Sequence, residues 1–219
     1  MTTTIEYALM AGASYVSNRP QEFNRFSIPE GWTAIKYENP PGGSGFEAIS
    51  FVKGNEIVIS YAGTNFSEPG ADFAQANVPL AAGVLAQQLK DAADYYLQIK
   101  NDPANAGKTI TLTGHSLGGG LAALIAVMFD ETAVTFDQAP FNQSALFFNS
   151  PPNAIKGEVT TTSVALALRQ HLADHASNTM LAKLDAYITA NTNNSNPIAA
   201  DTVAGRANNV SDINVQGEI

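Results

Sequence analysis

Hydrophobic positions follow two different rhythms along the first half of the chain. Apolar residues recur at intervals of three and four over 3–16 and 81–100, which predicts amphipathic helices. Shorter runs rich in β-branched and aromatic residues are separated by turn-forming Pro, Gly and Asn, which predicts strands. These predicted strands occupy 33–37, 46–54 and 56–63, and the pair Gly54-Asn55 joins the last two as a hairpin.

The middle of the chain alternates between strand and helix patterns. A short apolar strand at 109–114 leads directly into an apolar helix at 116–130, and a further strand follows at 131–137. Strands that alternate with helices in this way usually form a parallel sheet with helices on its faces. The pattern therefore predicts an α/β fold with a mainly parallel sheet and helices on both faces.

The pattern changes after residue 137. A short helix is predicted at 140–148 and a helical run at about 164–190, followed by an Asn- and Thr-rich linker and a last strand at 208–219. We expect one domain, 1–219, with an insert at about 150–208. The helical run carries an apolar stripe, so it is either a lid that turns its apolar face to lipid or a helix packed permanently on the core. The stripe consists of Leu166, Leu172, Leu181, Leu184 and Ile188.

Charge and composition exclude several classes of function. The formal net charge is −9, so phosphate backbones are repelled and nucleic-acid binding is not expected, nor is electrostatic docking to anionic membranes. The chain has no cysteine, which excludes disulfides, thiolate metal sites and a cysteine nucleophile. No stretch reaches the roughly 20 apolar residues of a membrane helix, and the N-terminus lacks the features of a signal peptide. We expect the protein to be secreted by a route that does not depend on a signal peptide, and the alternative location is the cytoplasm.

The strongest chemical signal is the pentapeptide Gly114-His115-Ser116-Leu117-Gly118. It follows a predicted strand and opens a predicted helix, which is the context of a nucleophile elbow. In an elbow, the serine projects clear of the backbone, and glycines on both sides allow strand and helix to cross closely. Ser116 is therefore the predicted nucleophile.

Acyl transfer also needs hydrogen-bond donors for the developing oxyanion. The backbone N–H of Leu117, directly after the nucleophile, is one predicted donor. A second donor is expected from a loop after an earlier central strand, and Thr64 follows the strand at 57–61. Thr64 and Leu117 are thus the predicted oxyanion hole, although an ordinary turn would also explain Thr64.

The runs IVISYAGT (57–64), ITLTGHSLGGGLAAL (110–124) and AVTF (133–136) resemble the class 3 lipases of the α/β-hydrolase fold. The chain is also similar to secreted bacterial lipases and esterases that lack signal peptides and cysteines. The resemblance covers about 45–150 and implies an acyl-enzyme on Ser116 with Thr64 and Leu117 as the oxyanion hole. Calcium is implied only if a calcium-binding repeat region follows this chain.

The acidic member of a catalytic triad has more than one candidate. Asp137 lies at the end of the strand after the nucleophile helix, where some lipases place their acid, although it could equally cap a following helix. The class 3 resemblance points one strand later, to Glu218, because glutamate can replace aspartate in this role. Asp212 is a weaker third candidate.

The catalytic base is not evident among the three histidines. His115 belongs to the elbow and is interpreted as a packing or hydrogen-bonding residue. His171 and His175 share a helix face, which favours a solvated surface, with a base paired to Asp137 or a metal site as alternatives. We expect the chain to be an N-terminal catalytic fragment whose base lies beyond residue 219.

The sequence predicts a serine hydrolase that cleaves carboxylic esters of lipids, either as a triacylglycerol lipase or esterase or as a phospholipase. It needs no cofactor and no metal, and its partner is a lipid or small-molecule ester, with transient contact to a lipid interface. Alternatives are a thioesterase or polyester hydrolase built on the same elbow, and a non-catalytic binding module that retains the fold.

Overall fold

The computed structural model describes residues 1–15, 26–38, 44–63, 78–138, 162–192 and 205–214. Within these ranges the strands are β1 (Thr33–Glu38), β2 (Ala48–Lys53), β3 (Glu56–Tyr61), β4 (Thr109–His115), β5 (Thr132–Phe136) and β6 (Val210–Ile213). The α-helices are α1 (Thr4–Ala13), α2 (Val78–Asn101), α3 (Leu117–Phe129), α4 (Thr162–His171) and α5 (Asn178–Thr192).

The described strands form one sheet whose spatial order is the chain order, β1 to β6. The pairs β1–β2 and β2–β3 are antiparallel, whereas β3 to β6 run parallel to one another. The predicted hairpin at Gly54-Asn55 is confirmed, since Lys53 pairs with Glu56 across it. The sheet is mixed and mostly parallel, as the strand and helix pattern predicted.

The chain order of the parallel strands determines where the helices lie. Each crossover from β3 to β6 advances in the same direction, so right-handed connections bring the intervening helices to one face. The opposite face is covered by α1, whose Met10 packs with Trp32, Phe51 and Val58 in a separate small core. Helices therefore cover both faces, as predicted.

The larger core lies between the sheet and the helices that follow β3. Its centre is α3, in which all 13 residues are buried, because it lies between the sheet on one side and α2 and α5 on the other. A helix enclosed in this way has no polar face, which explains the continuous apolar run of its sequence.

The predicted helical run at 164–190 is two helices rather than one. The break comes before Ser177, whose hydroxyl accepts a hydrogen bond from the Met180 N–H (3.3 Å) and so begins α5. Most of the predicted apolar stripe is buried in the main core, whereas Leu166 is exposed. The described part of the predicted insert thus packs on the helical layer, while 150–161 and the helix predicted at 140–148 lie outside the described residues.

In the part of the chain that the structure describes, no helix is long and apolar enough to cross a membrane.

Candidate active site

Ser116 stands at the junction of β4 and α3 in a strained backbone conformation. Its φ of 53° and ψ of −125° lie in a region that residues with side chains rarely adopt. The strain is maintained by flanking hydrogen bonds: the Ser116 N–H donates to the Phe136 carbonyl and its own carbonyl accepts from the Gly120 N–H, both at 3.1 Å. The side chain is half-buried and does not cap α3. These are the features that the nucleophile-elbow prediction requires of Ser116.

Three glycines allow the tight crossing around Ser116. A Cβ on Gly114 would lie 2.5 Å from the backbone of Gly118, and one on Gly119 would lie 2.9 Å from the Gln138 side chain. A Cβ on Gly118 would overlap the Tyr61 carbonyl oxygen and lie 2.7 Å from the Ala62 carbonyl carbon. Each glycine is therefore required by a close backbone approach rather than by a positive φ.

The end of β3 reaches the same place. A Cβ built on Gly63 would lie 3.0 Å from the His115 carbonyl oxygen and 3.5 Å from the Ser116 Cβ. Gly63, which follows β3, thus lies against the elbow, one residue before the predicted second oxyanion donor. Thr64 itself lies outside the described residues.

Leu117 is the first residue of α3, and its side chain is buried. The first N–H groups of a helix have no partner within the helix, and the helix dipole favours negative charge beside them. The position of Leu117 at the start of α3 agrees with the predicted role of its N–H as an oxyanion donor, and that role stays a prediction.

Two of the acid candidates lie at the neighbouring strand ends. Asp137 directly follows β5, has a positive φ of 41°, and its N–H donates to the Ile213 carbonyl at 3.0 Å. Asp212 lies on β6, where its carboxylate accepts hydrogen bonds from the Thr135 hydroxyl (3.2 Å) and the Gln138 N–H (3.4 Å). Asp137 thus lies next to the Phe136 carbonyl that binds Ser116, whereas Asp212 ties β6 to the loop after β5. Glu218 lies outside the described residues.

His115 is engaged on the α1 side of the sheet. Its Nδ1 lies 3.1 Å from the Tyr15 hydroxyl, and the two rings meet edge to face. The hydrogen-bonding role predicted for His115 is confirmed. Tyr15 was not predicted as a site residue, and no motif marks it, because it reaches the elbow only through the packing of α1 across the sheet.

His171 and His175 both contact Asp94 of α2. The Nε2 atoms of the two histidines lie 2.8 and 3.1 Å from the two carboxylate oxygens of Asp94. Tyr96, two residues after Asp94, stacks on Phe129 at the C-terminal end of α3. Ser116 directly precedes the other end of this 13-residue helix.

Buried tyrosines support the strand that leads to Gly63. Tyr61 is fully buried, and its hydroxyl donates to the Ala92 carbonyl of α2 at 2.9 Å. Burial raises the pKa of Tyr61 and of its neighbour Tyr95, so both stay protonated and continue to donate. Tyr95 donates in turn to the Lys36 carbonyl at 2.9 Å. These bonds fix α2 against the first three strands.

Comparisons with known proteins agree with a lipid-related function. An extracellular phospholipase A1 of Serratia liquefaciens is 37% identical over 97 residues, which is 44% of this chain. The chain spans 28% of the length of that relative. The specific features of class 3 lipases are not shown by these comparisons, but a lipase-like family is. The model of the Tle-like phospholipase domain matches residues 6–165, most of the chain, and the chain therefore belongs to that phospholipase-like family.

Proposed function

We propose that this chain carries a serine hydrolase site of the α/β-hydrolase kind, which cleaves carboxylic esters of phospholipids. The strained backbone of Ser116 is the observation that carries the proposal. Strain of this kind persists only where surrounding structure enforces it, and it projects the side chain from the elbow. The phospholipase family and the phospholipase A1 relative support phospholipid as the substrate class.

The proposed reaction proceeds in two steps. The Ser116 oxygen attacks the acyl carbon and loses its proton to a base, and the tetrahedral oxyanion forms between the N–H of Leu117 and Thr64. The alcohol product, a lysophospholipid, takes up a proton and leaves an acyl-enzyme. Water then attacks the acyl carbon and releases the fatty acid, which restores the serine.

In this scheme Ser116 is the proposed nucleophile and the Leu117 N–H is one proposed oxyanion donor. For the acid we favour Asp137, because it directly follows β5, whose last carbonyl, that of Phe136, accepts the Ser116 N–H. Asp212 on β6 is the alternative among the described residues. Glu218 remains the alternative implied by the class 3 resemblance. We assign the base to none of the three histidines, whose side-chain hydrogen bonds among the described residues are with Tyr15 and Asp94 rather than with Ser116.

Replacing the nucleophile tests the proposal directly. Ser116→Ala should abolish covalent labelling by a fluorophosphonate probe and lower fatty-acid release from phosphatidylcholine vesicles by on the order of 10⁴-fold or more. Ser211→Ala, an exposed serine on β6, is the matched control and should leave both unchanged. Mass spectrometry of the labelled peptide locates the adduct, and labelling of another residue would contradict the assignment.

A non-catalytic binding module is the second candidate, because in the described part of the chain the side chains of His115, His171 and His175 contact Tyr15 and Asp94 rather than Ser116. A protein that binds phospholipid vesicles but neither labels nor releases fatty acid would establish that function. If hydrolysis is seen on thioesters or polyesters but not on phospholipids, the elbow is catalytic and the proposed substrate class is wrong.

We further propose that the protein acts outside the cell that makes it. The support is the word extracellular in the name of the Serratia liquefaciens relative. Immunoblotting of culture supernatant against a cytoplasmic marker tests this location, and retention of the protein with the marker would contradict it.

A further inference from the structure

The side chains of two histidines and one aspartate meet on the surface of the helices α2 and α4. His171 ends α4, His175 follows one turn later, and Asp94 belongs to α2, 77 residues before His171. One ligand-type atom from each of the three lies within 4.8 Å of the others. The proposed hydrolysis at Ser116 uses none of them.

The convergence is built by two independent features of the fold. A spacing of four residues places both histidines on one side of a helical turn, and their rings meet edge to face with centroids 5.3 Å apart. The packing of α4 on α2 then brings Asp94 to both rings, with one carboxylate oxygen 2.8 Å from the His171 Nε2 and the other 3.1 Å from the His175 Nε2.

We propose that Asp94, His171 and His175 form a binding site for a divalent transition-metal ion, with Zn²⁺ as the ion of choice. Two imidazole nitrogens and one carboxylate oxygen are a donor set that suits Zn²⁺, Co²⁺ and Ni²⁺, whereas Ca²⁺ and Mg²⁺ prefer oxygen ligands alone. The Nε2 atoms already point at the carboxylate, so an ion between them needs only small side-chain movements. Its ligands would lie at about 2 Å, with water in the fourth position.

The exposure of the three residues allows the ion to enter from solvent. The side chains of His171 and Asp94 are 31% and 32% exposed, and that of His175 is 47% exposed. A bound ion would link the C-terminal end of α4 to α2. It would thereby hold α4 against a helix that covers the sheet. This role is structural and independent of the proposed hydrolysis.

Zinc binding can be measured without reference to activity. After treatment with a chelator, the wild-type chain should bind one Zn²⁺ per molecule by titration calorimetry, and its thermal unfolding midpoint should rise with Zn²⁺ concentration. Bound Co²⁺ should give the visible absorption of a four-coordinate site. Asp94→Asn, His171→Gln and His175→Gln should each lower the Zn²⁺ affinity by about 100-fold or more, because even outer partners of a metal site contribute 10- to 100-fold.

Asp185→Asn is the matched control for these variants. It breaks an exposed ion pair between α4 and α5, Arg169 Nε to Asp185 Oδ1 at 2.8 Å, without touching the three ligands. It should therefore bind Zn²⁺ like the wild type. Circular dichroism of each ligand variant shows whether it is folded. Equal Zn²⁺ affinity in the wild type and in folded ligand variants, or no saturable binding in the wild type, would overturn the proposal.

Discussion

The backbone around Ser116 depends on glycines that have no room for a side chain. Gly118→Ala would push a methyl group into the end of β3, because the Tyr61 carbonyl and the Ala62 backbone occupy that space. We expect the substitution to destabilise the fold by about 1–3 kcal/mol, as overpacking usually does. Displacement of the elbow should also lower the hydrolysis rate of the folded enzyme by about 100-fold, since errors of about 1 Å in catalytic geometry have this effect.

Gly54→Ala separates the effect on the site from a general effect on stability. Gly54 lies in the β2–β3 turn with a φ of 58° and no atom within 4 Å of an added Cβ. Its substitution should cost about 1–2 kcal/mol for the left-handed backbone alone and leave the rate per folded molecule unchanged. Urea unfolding gives the stability of both variants, and initial rates give their activity per folded molecule. Full activity in Gly118→Ala would contradict the steric argument.

The sequence predicts the role of a single residue where the residues of a site are consecutive in the chain. Gly114 to Gly118 are consecutive, so the motif alone identified Ser116, and the structure gives that residue the expected strain. Tyr15 and Asp94 could not be found in this way. Each meets its histidine partner across 77 or more residues of chain, through packing that no local pattern describes.

At the level of elements, α1 is fixed to the sheet through one carboxylate. Glu6 accepts hydrogen bonds from the Lys53 ammonium (2.9 Å), the Trp32 indole (3.0 Å) and the Thr3 backbone N–H (2.8 Å). The last contact belongs to the capping box that begins α1. The Lys53 hydrogen bond and then those from Thr3 and Trp32 lower the pKa of Glu6 from 4.5 to about 2.

This lowered pKa predicts a pH-dependent contribution to stability. A carboxyl whose pKa falls on folding stabilises the native state above its unfolded pKa and loses that effect as the pH falls through its folded pKa. Glu6→Gln should therefore lower the unfolding midpoint at pH 7, and the difference from wild type should shrink as the pH falls from 4.5 towards 2. Glu30→Gln, which removes an exposed carboxyl from the neighbouring loop, is the control for the loss of one negative charge in the same thermal scans. A constant difference for Glu6→Gln across this range would contradict the assignment.

The positions of helices and strands could be predicted where the sequence has a clear hydrophobic period that ends at turn residues. Strands 33–37 and 56–63 and the helix at 81–100 were predicted close to their observed positions, because each has a clear period bounded by Gly, Pro or Asn. The division between α4 and α5 was missed, because apolar spacing continues across the break while the cap at Ser177 depends on one hydroxyl. Handedness rules then place the crossover helices on one face of the sheet, but neither the strand order nor the position of α1 on the opposite face was predicted.

For the molecule as a whole, the acidic surface constrains which lipid interfaces it can use. The net charge of −9 repels anionic membranes, so adsorption has to come from apolar contact and is opposed wherever the lipid surface is negative. Exposed apolar side chains such as Leu166 on α4 offer contact of this kind. The affinity of the protein for a lipid surface is therefore expected to depend on the charge of that surface. This dependence is separate from the proposed reaction at Ser116.

Vesicles of different charge test this expectation. The inactive Ser116→Ala chain should sediment less with phosphatidylglycerol vesicles than with phosphatidylcholine vesicles at low ionic strength. Raising the salt from about 10 mM to about 150 mM shortens the Debye length from about 30 Å to about 8 Å. The difference in sedimentation between the two kinds of vesicle should therefore become smaller. Charge repulsion acts on adsorption to the vesicle and not on the acyl transfer step. The rate at which the wild type hydrolyses lipid dispersed as single molecules should therefore depend less on headgroup charge than vesicle binding does. Tighter binding to the anionic vesicles, or a difference that salt does not change, would show that a local cationic or apolar surface outweighs the net charge.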